Sequence, residues 1–435
     1  MEETKCIASI KHGLRGEVRI PGDKSISHRS VMFSALGSTP VHISNFLHAQ
    51  DCMSTVACIR ALGAKVDFLG EDELIVTGNG LYGLSEPQTI LDAGNSGTTL
   101  RLMMGILAGQ PFLSTFTGDT SLHTRPMKRV IKPLREMGAQ IYGREKNTKL
   151  PIAIVPIGKK LHGMAYNSPV ASAQVKSAIL LAGLFADAPT TVIEPHASRD
   201  HTEQMLRAFG VPIETNRTAV TVRPMKTLVA PRSIEVPGDI SSAAYWLVAG
   251  SIIPKSNLIL KGVGINPTRT GILDILHAMG ARITIQNERT SGGEKAADIH
   301  VETSMLKGTE FGSEIMPRLI DEIPILAVAA LFAEGDTIIT GAGELRFKET
   351  DRIQAIADQF NKFASGAIED TENGLVIHGG KRMQRATCFS YDDHRIAMSL
   401  AVLGAAGRGV EIERPDCVNI SYPTFYDTLL QVKQK

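Results

Sequence analysis

Along this chain, apolar runs and short polar clusters alternate in one recurring order. A polar cluster opens an Ala- and Leu-rich run that reads as a buried helix, and a β-branched strand follows. A second, amphipathic helix then closes on a glycine that leads into another strand. Six polar openings stand out, at 25–29, 95–101, 172–174, 239–242, 321–324 and 392–395. Four of the second helices end in similar phrases, with glycine at 63, 138, 210 and 280, and 360–365 is a looser fifth. Glycine after the last helical residue is the expected stop, and the Ile/Val alternation beyond it has the period of a strand. The pattern predicts an α/β chain of six units of about 70 residues each.

One phrase is written twice. VRIPGDKS at 18–25 returns as IEVPGDIS at 234–241, which divides the chain into two similar halves of three units. No low-complexity tract separates them, so the boundary near 230–237 rests on the repeat alone. With 435 residues, of which 43% are hydrophobic, the chain can bury more than one core. The apolar runs near 178–185 and 323–333 fall short of the roughly 18 residues a membrane span needs and read as buried helices.

Charge narrows the partners. Forty-six Lys and Arg balance 45 Asp and Glu, so nothing global marks a nucleic-acid or membrane-surface binder, and any anion site must be local. The five cysteines (Cys6, Cys52, Cys58, Cys388, Cys417) are scattered and odd in number, with no C-x-x-C spacing. That pattern suits neither a disulfide framework nor a zinc site, and a reducing cytoplasm is the expected setting. The start is acidic with no apolar segment after it, which does not read as an export signal.

A helix N-terminus presents unpaired N–H groups and partial positive charge, so polar clusters at helix openings are natural anion sites. Their side chains reinforce this: Lys24, Ser25, His28 and Arg29 in the first, Arg125 opening a second-helix run, and Arg395 after Asp392, Asp393 and His394. Lys348 and Arg352, four apart, are expected on one face of a helix. Arginine grips carboxylate or phosphate bidentately, whereas lysine is a point charge that can also give up a proton. Separated cations of both kinds suit substrates bearing phosphates and carboxylates.

Several familiar motifs are excluded. Lys24-Ser25 lacks the glycines of a P-loop, and no G-x-G-x-x-G links a strand to a helix, so a dinucleotide cofactor is not expected. Glycines 94 and 97 make a turn through which backbone N–H groups can approach an anion. For acid–base work the candidates are Asp321, before an apolar helix, and Glu349, beside Lys348. Asp321 reads equally as a helix cap with no chemistry, and Pro324 in the first turn agrees with that. Adjacent residues such as Asp392, Asp393 and His394 cannot all face one ion, so no metal is expected.

Taken together, PGDKSISHR at 21–29, GNSGT at 94–98, Arg125-Pro126, ASAQ at 171–174, DEIP at 321–324, KETDR at 348–352 and DDHR at 392–395 resemble the enolpyruvyl transferase family. Within it they resemble the 3-phosphoshikimate 1-carboxyvinyltransferase (EPSP synthase) branch, end to end and in order. The resemblance implies a two-domain inside-out α/β barrel, each domain built of three βαβαββ units with pseudo-threefold symmetry. It implies a discontinuous domain of residues 1–20 plus 238–435, a second of 21–237, and an active site in the cleft between them.

It also implies roles. Ser25, Arg29, Ser172 and Gln174 are similar to ligands of shikimate 3-phosphate, with Lys24 touching both substrates. Gly97, Arg125, Arg352 and Arg395 are similar to a phosphoenolpyruvate cradle. Asp321 matches the family's base for the 5-hydroxyl and also lines the shikimate 3-phosphate site, Lys348 serves the shared phosphate region, and Glu349 and Lys24 are candidates for protonating the enol methylene. Neither metal nor organic cofactor is implied, and a cytoplasmic monomer acting on two small molecules is expected.

Departures sharpen the picture. Where some members carry a lysine before an aromatic-Pro pair, this chain offers Ser421, which removes one expected phosphoenolpyruvate contact. SAQVK at 172–176, RDHTE at 199–203 and NPTR at 266–269 resemble the class II branch, whose members often tolerate glyphosate; reduced sensitivity follows as an expectation, although Gly97 is not the alanine that commonly excludes the inhibitor. The sister enzyme acting on UDP-N-acetylglucosamine usually has a cysteine five residues before the Arg-Pro, and here that residue is Thr120.

Overall fold

The six polar openings each begin a helix, and the twice-written phrase marks where the chain crosses from one half to the other. In this computed structural model, which describes residues 4–433, the chain divides into two units. The first takes the N-terminal segment to Pro21, 238–289 and the chain from 295 onward; the second takes 22–237 with the short stretch 290–294. Pro21 and the 290–294 stretch thus lie on the other side of the boundary from the expected division, because hairpin residues 290–294 pack with the second unit.

Five of the six sheets share one order: a first strand parallel to a second, which continues through two antiparallel strands. In one example Leu91–Asp92 lies parallel to Ser114–Thr117, which pairs antiparallel with Lys149–Val155, with Gln140–Gly143 at the far edge. Three of these sheets take their strands consecutively along the chain in βαβαββ order, and each unit holds three sheets. The sixth has three strands: Ala386–Phe389 runs parallel to Val410–Glu413, whose antiparallel partner is Thr4–Ile7 from the start of the chain.

The halves exchange edge strands. Arg15–Arg19, which precedes the first helix of one half, pairs in parallel with Asn257–Gly264 from the other half of the sequence. Ser233–Glu235, which precedes the helix Ile240–Ile252, pairs in parallel with Val41–Ser44. The Pro-Gly-Asp echo is these two crossings. Asp23 donates its N–H to the Pro237 carbonyl at 2.7 Å, and Asp239 donates to the Pro21 carbonyl at 2.8 Å. Glycine is required at both because a Cβ on Gly22 would sit 1.9 Å from the Asn45 carbonyl, and one on Gly238 would sit 2.7 Å from the Ile20 Cβ.

Within each unit the helices behind the polar openings form the interior. Gly97–Leu107 packs on both Lys24–Ala35 and Ala173–Gly183; Ile240–Ile252, Ile323–Leu331 and His394–Ala406 pack on one another. These helices are buried nearly all round, whereas the strands alternate buried and half-exposed residues. Helices inside and sheets outside is the inside-out arrangement that the family resemblance implied. The second helices end at Ala61, Glu136, Ala208 and Ala278, and the glycines that follow at 63, 138, 210 and 280 all take positive φ, from 77° to 96°. Among the described residues no helix is long and apolar enough to cross a membrane.

Candidate active site

In the unit containing 22–237, three helix openings carry the candidate residues. Asp23 caps the first helix by accepting the Ile26 N–H at 3.0 Å, which sets Lys24 as its first residue. The Lys24 ammonium pairs with Asp51, on the helix Gln50–Ala61. Burial alone would raise the Asp51 carboxyl, but Lys24 outweighs it and holds the group below its usual range. Arg29, one turn further on, gives Nε to Thr202 Oγ1 (2.7 Å), Nη2 to Ser177 Oγ (3.0 Å) and Nη1 to the Ser25 carbonyl (2.9 Å).

Ser96 caps the second helix through the Thr99 N–H, leaving Gly97 as the first helical residue. Gln174, in the first turn of the third, donates to Thr98 Oγ1 at 3.1 Å and accepts from Arg101 Nη1 at 2.5 Å. Gly97, Arg101 and Gln174 thus form one chain of contact, since a Cβ on Gly97 would meet Arg101 Nη1 at 2.8 Å. Arg125 does not open a helix as expected: it follows the short helix Thr120–Thr124 in extended backbone, and the next helix begins at Lys128 because 125–127 fill the turn. Its guanidinium is fixed by Asn95 Oδ1 at 2.7 Å and Ser121 Oγ at 3.2 Å.

The charges of this unit are set for anions. Arg29 bonds to hydroxyls and a carbonyl, and burial pushes its guanidinium down to about 10 despite Glu203. Arg101 is pushed down to about 9 by burial and by the neighbouring Arg129 and Arg125. His28, also buried, is pushed down to about 3 by desolvation and is therefore neutral; its Nδ1 meets Thr55 Oγ1 at 2.6 Å, and Thr55 bonds onward to Thr99. A phosphate or carboxylate arriving here would supply the negative charge that two desolvated guanidinium groups lack.

The other unit is built differently, around Asp321. The cap of the helix Ile323–Leu331 is Glu322, while Asp321 lies in the 3-10 turn Ile320–Glu322. Asp321 therefore stands one residue before the cap position, which Glu322 holds. Lys348 Nζ stands 3.3 Å from Asp321 Oδ1, Arg352 Nη1 stands 3.6 Å from the same oxygen, and Arg395 Nη1 donates to the Asp321 carbonyl at 3.0 Å. Lys348 and Arg352 do not share a helix face, because Asp351 caps the helix Arg352–Phe360 and leaves Lys348 in extended backbone before it. The loop nevertheless delivers both cations to one carboxylate.

Arg352 is 1% exposed and is gripped by Asp393 at Nε (2.8 Å) and Nη2 (3.3 Å), with Glu349 Oε2 on Nη2 at 2.7 Å. Asp393 also caps the helix His394–Ala406 through the Arg395 N–H. Asp392 turns away to Arg414, so the acidic pair does not converge. Among the described residues no group of three His, Cys, Asp or Glu side chains is placed to hold a metal ion. Burial lowers the affinity of Arg352 and Arg395 for their protons, yet Asp393 and Glu349 at the first, and Asp321 at the second, outweigh it. Burial would likewise raise Glu349, but Arg352 and then His394 hold it well below the usual carboxylate range, so it is ionised here.

Sequence reasoning singled out the cations but missed what holds them. Asp51, Asn95 and Asp393 are such partners, as is Glu322, which accepts the Ser241 hydroxyl and lies 3.7 Å from Arg395 Nη1. Ser421 ends the 3-10 turn Pro415–Ile420 with its hydroxyl buried and unbonded, and supplies no cation.

Comparison with known proteins fits this geometry. The profile of the family described as EPSP synthase (3-phosphoshikimate 1-carboxyvinyltransferase) matches residues 9–429. A 3-phosphoshikimate 1-carboxyvinyltransferase of Bacillus cytotoxicus is 52% identical over 96% of this chain and 97% of its own length. One of Gloeobacter violaceus is 53% identical over 97% of each. Among solved structures, an EPSP synthase from Acinetobacter baumannii superposes with a TM-score of 0.90 and 42% identity, covering 99% of this chain and 98% of that one. The enolpyruvyl transferase NikO from Streptomyces tendae, 18% identical with a TM-score of 0.77 over 99% and 98% of the two chains, shares the fold.

Proposed function

We propose a division of labour among these residues on one premise: the chain belongs to the EPSP synthase family. It transfers the enolpyruvyl group of phosphoenolpyruvate to the 5-hydroxyl of shikimate 3-phosphate, releasing phosphate. Ser25, Arg29, Ser172 and Gln174 hold shikimate 3-phosphate, and Lys24 reaches both substrates. Gly97, Arg125, Arg352 and Arg395 cradle phosphoenolpyruvate, while Lys348 serves the phosphate region the two share. These residues come from both units, so the reading requires both to act on one pair of substrates.

The chemistry is addition and elimination. A proton goes to C3 of phosphoenolpyruvate while the 5-hydroxyl oxygen attacks C2 and loses its own proton, giving a tetrahedral ketal phosphate. A proton then leaves C3, the bond from C2 to the phosphate oxygen breaks, and inorganic phosphate departs. Asp321 takes the hydroxyl proton; Glu349 and Lys24 are the candidate donors to C3. The surrounding cations hold charge on phosphate and carboxylate throughout. Glu349 is ionised while Arg352 is free to pair with it; a bound phosphate that claims Arg352 raises Glu349 toward protonation, so the acid is armed by the substrate.

The observation that carries this reading is Asp321, whose carboxylate is met by Lys348 and Arg352 and whose backbone carbonyl accepts from Arg395. One chain supplies every candidate residue, which suits a monomer, and the cysteines form no disulfide, with Cys52, Cys58 and Cys388 buried, which suits a reducing cytoplasm. The test is phosphate release from phosphoenolpyruvate with shikimate 3-phosphate or UDP-N-acetylglucosamine as acceptor, with sedimentation velocity for the assembly state. Release that depends on shikimate 3-phosphate is expected; release with the UDP-sugar alone would overturn the assignment.

A further inference from the structure

Two of the sequence features above have no role in this scheme: Lys176, at the end of SAQVK, and Glu203, at the end of RDHTE. The structure joins them. Lys176 is 3% exposed, and its ammonium lies 2.7 Å from Glu203 Oε1 and 3.1 Å from Glu194 Oε2. Glu194, also 3% exposed, uses its other oxygen to accept the Ser172 N–H at 2.8 Å. Its Oε2 accepts from the Ser198 hydroxyl at 2.7 Å and the Ser198 N–H at 3.3 Å, and Lys176 reaches the Ser198 carbonyl at 3.4 Å. One buried carboxylate, fixed by one buried ammonium, thereby ties the 172 turn to the 194–198 loop.

The need for such a clamp comes from the cap position. Asp23, Ser96, Asp239 and Asp393 close their helices by accepting a first-turn N–H with the side chain. Ser172 occupies the same position before Ala173–Gly183 and makes no side-chain cap bond. Its hydroxyl is thus left for a ligand, and the conformation that a cap bond would have fixed must be set otherwise. Glu194 does so through the backbone. A bare carboxylate behind a phosphate site would repel the incoming anion; the Lys176 ammonium offsets that charge while it is shared with Glu203, whose carboxyl is pushed up by burial and so carries less of the opposing charge.

We infer that Glu194, held by Lys176, is the positioning residue that presents Ser172 to the phosphate-bearing acceptor substrate. This rests on the proposed role of Ser172 in shikimate 3-phosphate binding. The test is steady-state kinetics of Glu194→Met, Glu194→Gln, Ser172→Ala and the Ser172→Ala/Glu194→Met pair, with melting curves to confirm folding. For Glu194→Met the expected result is a rise of about tenfold in KM for shikimate 3-phosphate, with kcat and KM for phosphoenolpyruvate within about threefold of wild type. Glu194→Gln, which keeps an acceptor oxygen but sets an amide donor against Lys176, shows a smaller rise of about threefold. The double variant is no worse than the poorer single one, because Glu194 acts through a hydroxyl already removed.

A folded Glu194→Met enzyme with unchanged KM for shikimate 3-phosphate would overturn the inference, as would single effects that multiply in the pair. If Glu194→Met does not fold, Glu194→Gln is measured with and without Ser172→Ala: a KM increase only where Ser172 is present supports the clamp, and an equal or absent change refutes it. Unchanged KM in Ser172→Ala alone would instead sink the underlying site assignment, and the inference with it.

Discussion

Replacing Asp393 by asparagine isolates the grip on Arg352. The carboxylate is wholly buried and meets the guanidinium at 2.8 and 3.3 Å, while the same side chain caps its helix through the Arg395 N–H at 2.8 Å. In Asp393→Asn the amide would keep one acceptor oxygen but turn a donor toward either Arg352 or the Arg395 N–H. Breaking a buried ion pair from one side costs about 3–5 kcal/mol. Glu349, 2.7 Å from Nη2, and Asp321, 3.6 Å from Nη1, still compensate Arg352, so a loss near the lower end, about 3 kcal/mol, is expected. If roughly half to all of it appears in phosphoenolpyruvate binding, KM for that substrate rises about ten- to a hundredfold. Phosphate release at saturating shikimate 3-phosphate, with phosphoenolpyruvate varied, reads the KM; urea unfolding reads the stability. A KM within about twofold of wild type alongside a lower urea midpoint would refute the reasoning, since Asp393 would then hold the scaffold and Arg352 would not hold the substrate.

Further outcomes follow from other contacts. His28 is held near 3 when folded and returns to about 6.5 when unfolded, so the unfolded chain binds the extra proton: this group leaves stability intact above pH 6.5 and removes it as pH falls, by about 2 kcal/mol between pH 7 and 5. Urea unfolding of His28→Asn at those two pH values should show a shallower fall than wild type, and an identical fall would contradict the assignment. In Gly97→Ala the new methyl pushes Arg101 off its 2.8 Å approach and loosens Gln174, so KM should rise about threefold or more for both substrates; a rise for phosphoenolpyruvate alone would break the proposed chain. Glyphosate is expected to inhibit the unmodified enzyme only weakly, and a low-micromolar inhibition constant against phosphoenolpyruvate would contradict the class II reading.

What the sequence made legible was local. Helix openings and stops are written within a few residues, so the openings at 25–29 and 95–101 and the stops at Gly63 and Gly138 could be placed from neighbouring residue types alone, while the caps Asp23 and Ser96 came from the structure. The Pro-Gly-Asp echo was visible for a similar reason, although its meaning, a pair of crossings with exchanged edge strands, needed the pairing of Arg15–Arg19 and Ser233–Glu235 with distant partners. The supports of the site were not legible. Lys24 and Asp51, Lys176 and Glu203, and Arg352 and Asp393 lie far apart in the chain, and no periodicity encodes which carboxylate meets which cation. The expectation that Lys348 and Arg352 share a helix face failed because a four-residue spacing was weighed above Asp351, a cap residue between them. The 290–294 stretch is likewise placed by side chains far from it in sequence, as the 2.7 Å contact of Glu294 with His201 shows.

The central claim is that Asp321 is the base for the acceptor hydroxyl. Its most direct test is rapid-quench turnover of Asp321→Asn with both substrates, together with calorimetric binding of shikimate 3-phosphate. The account predicts turnover reduced by about a thousandfold with binding close to wild type; turnover within about tenfold of wild type would contradict it.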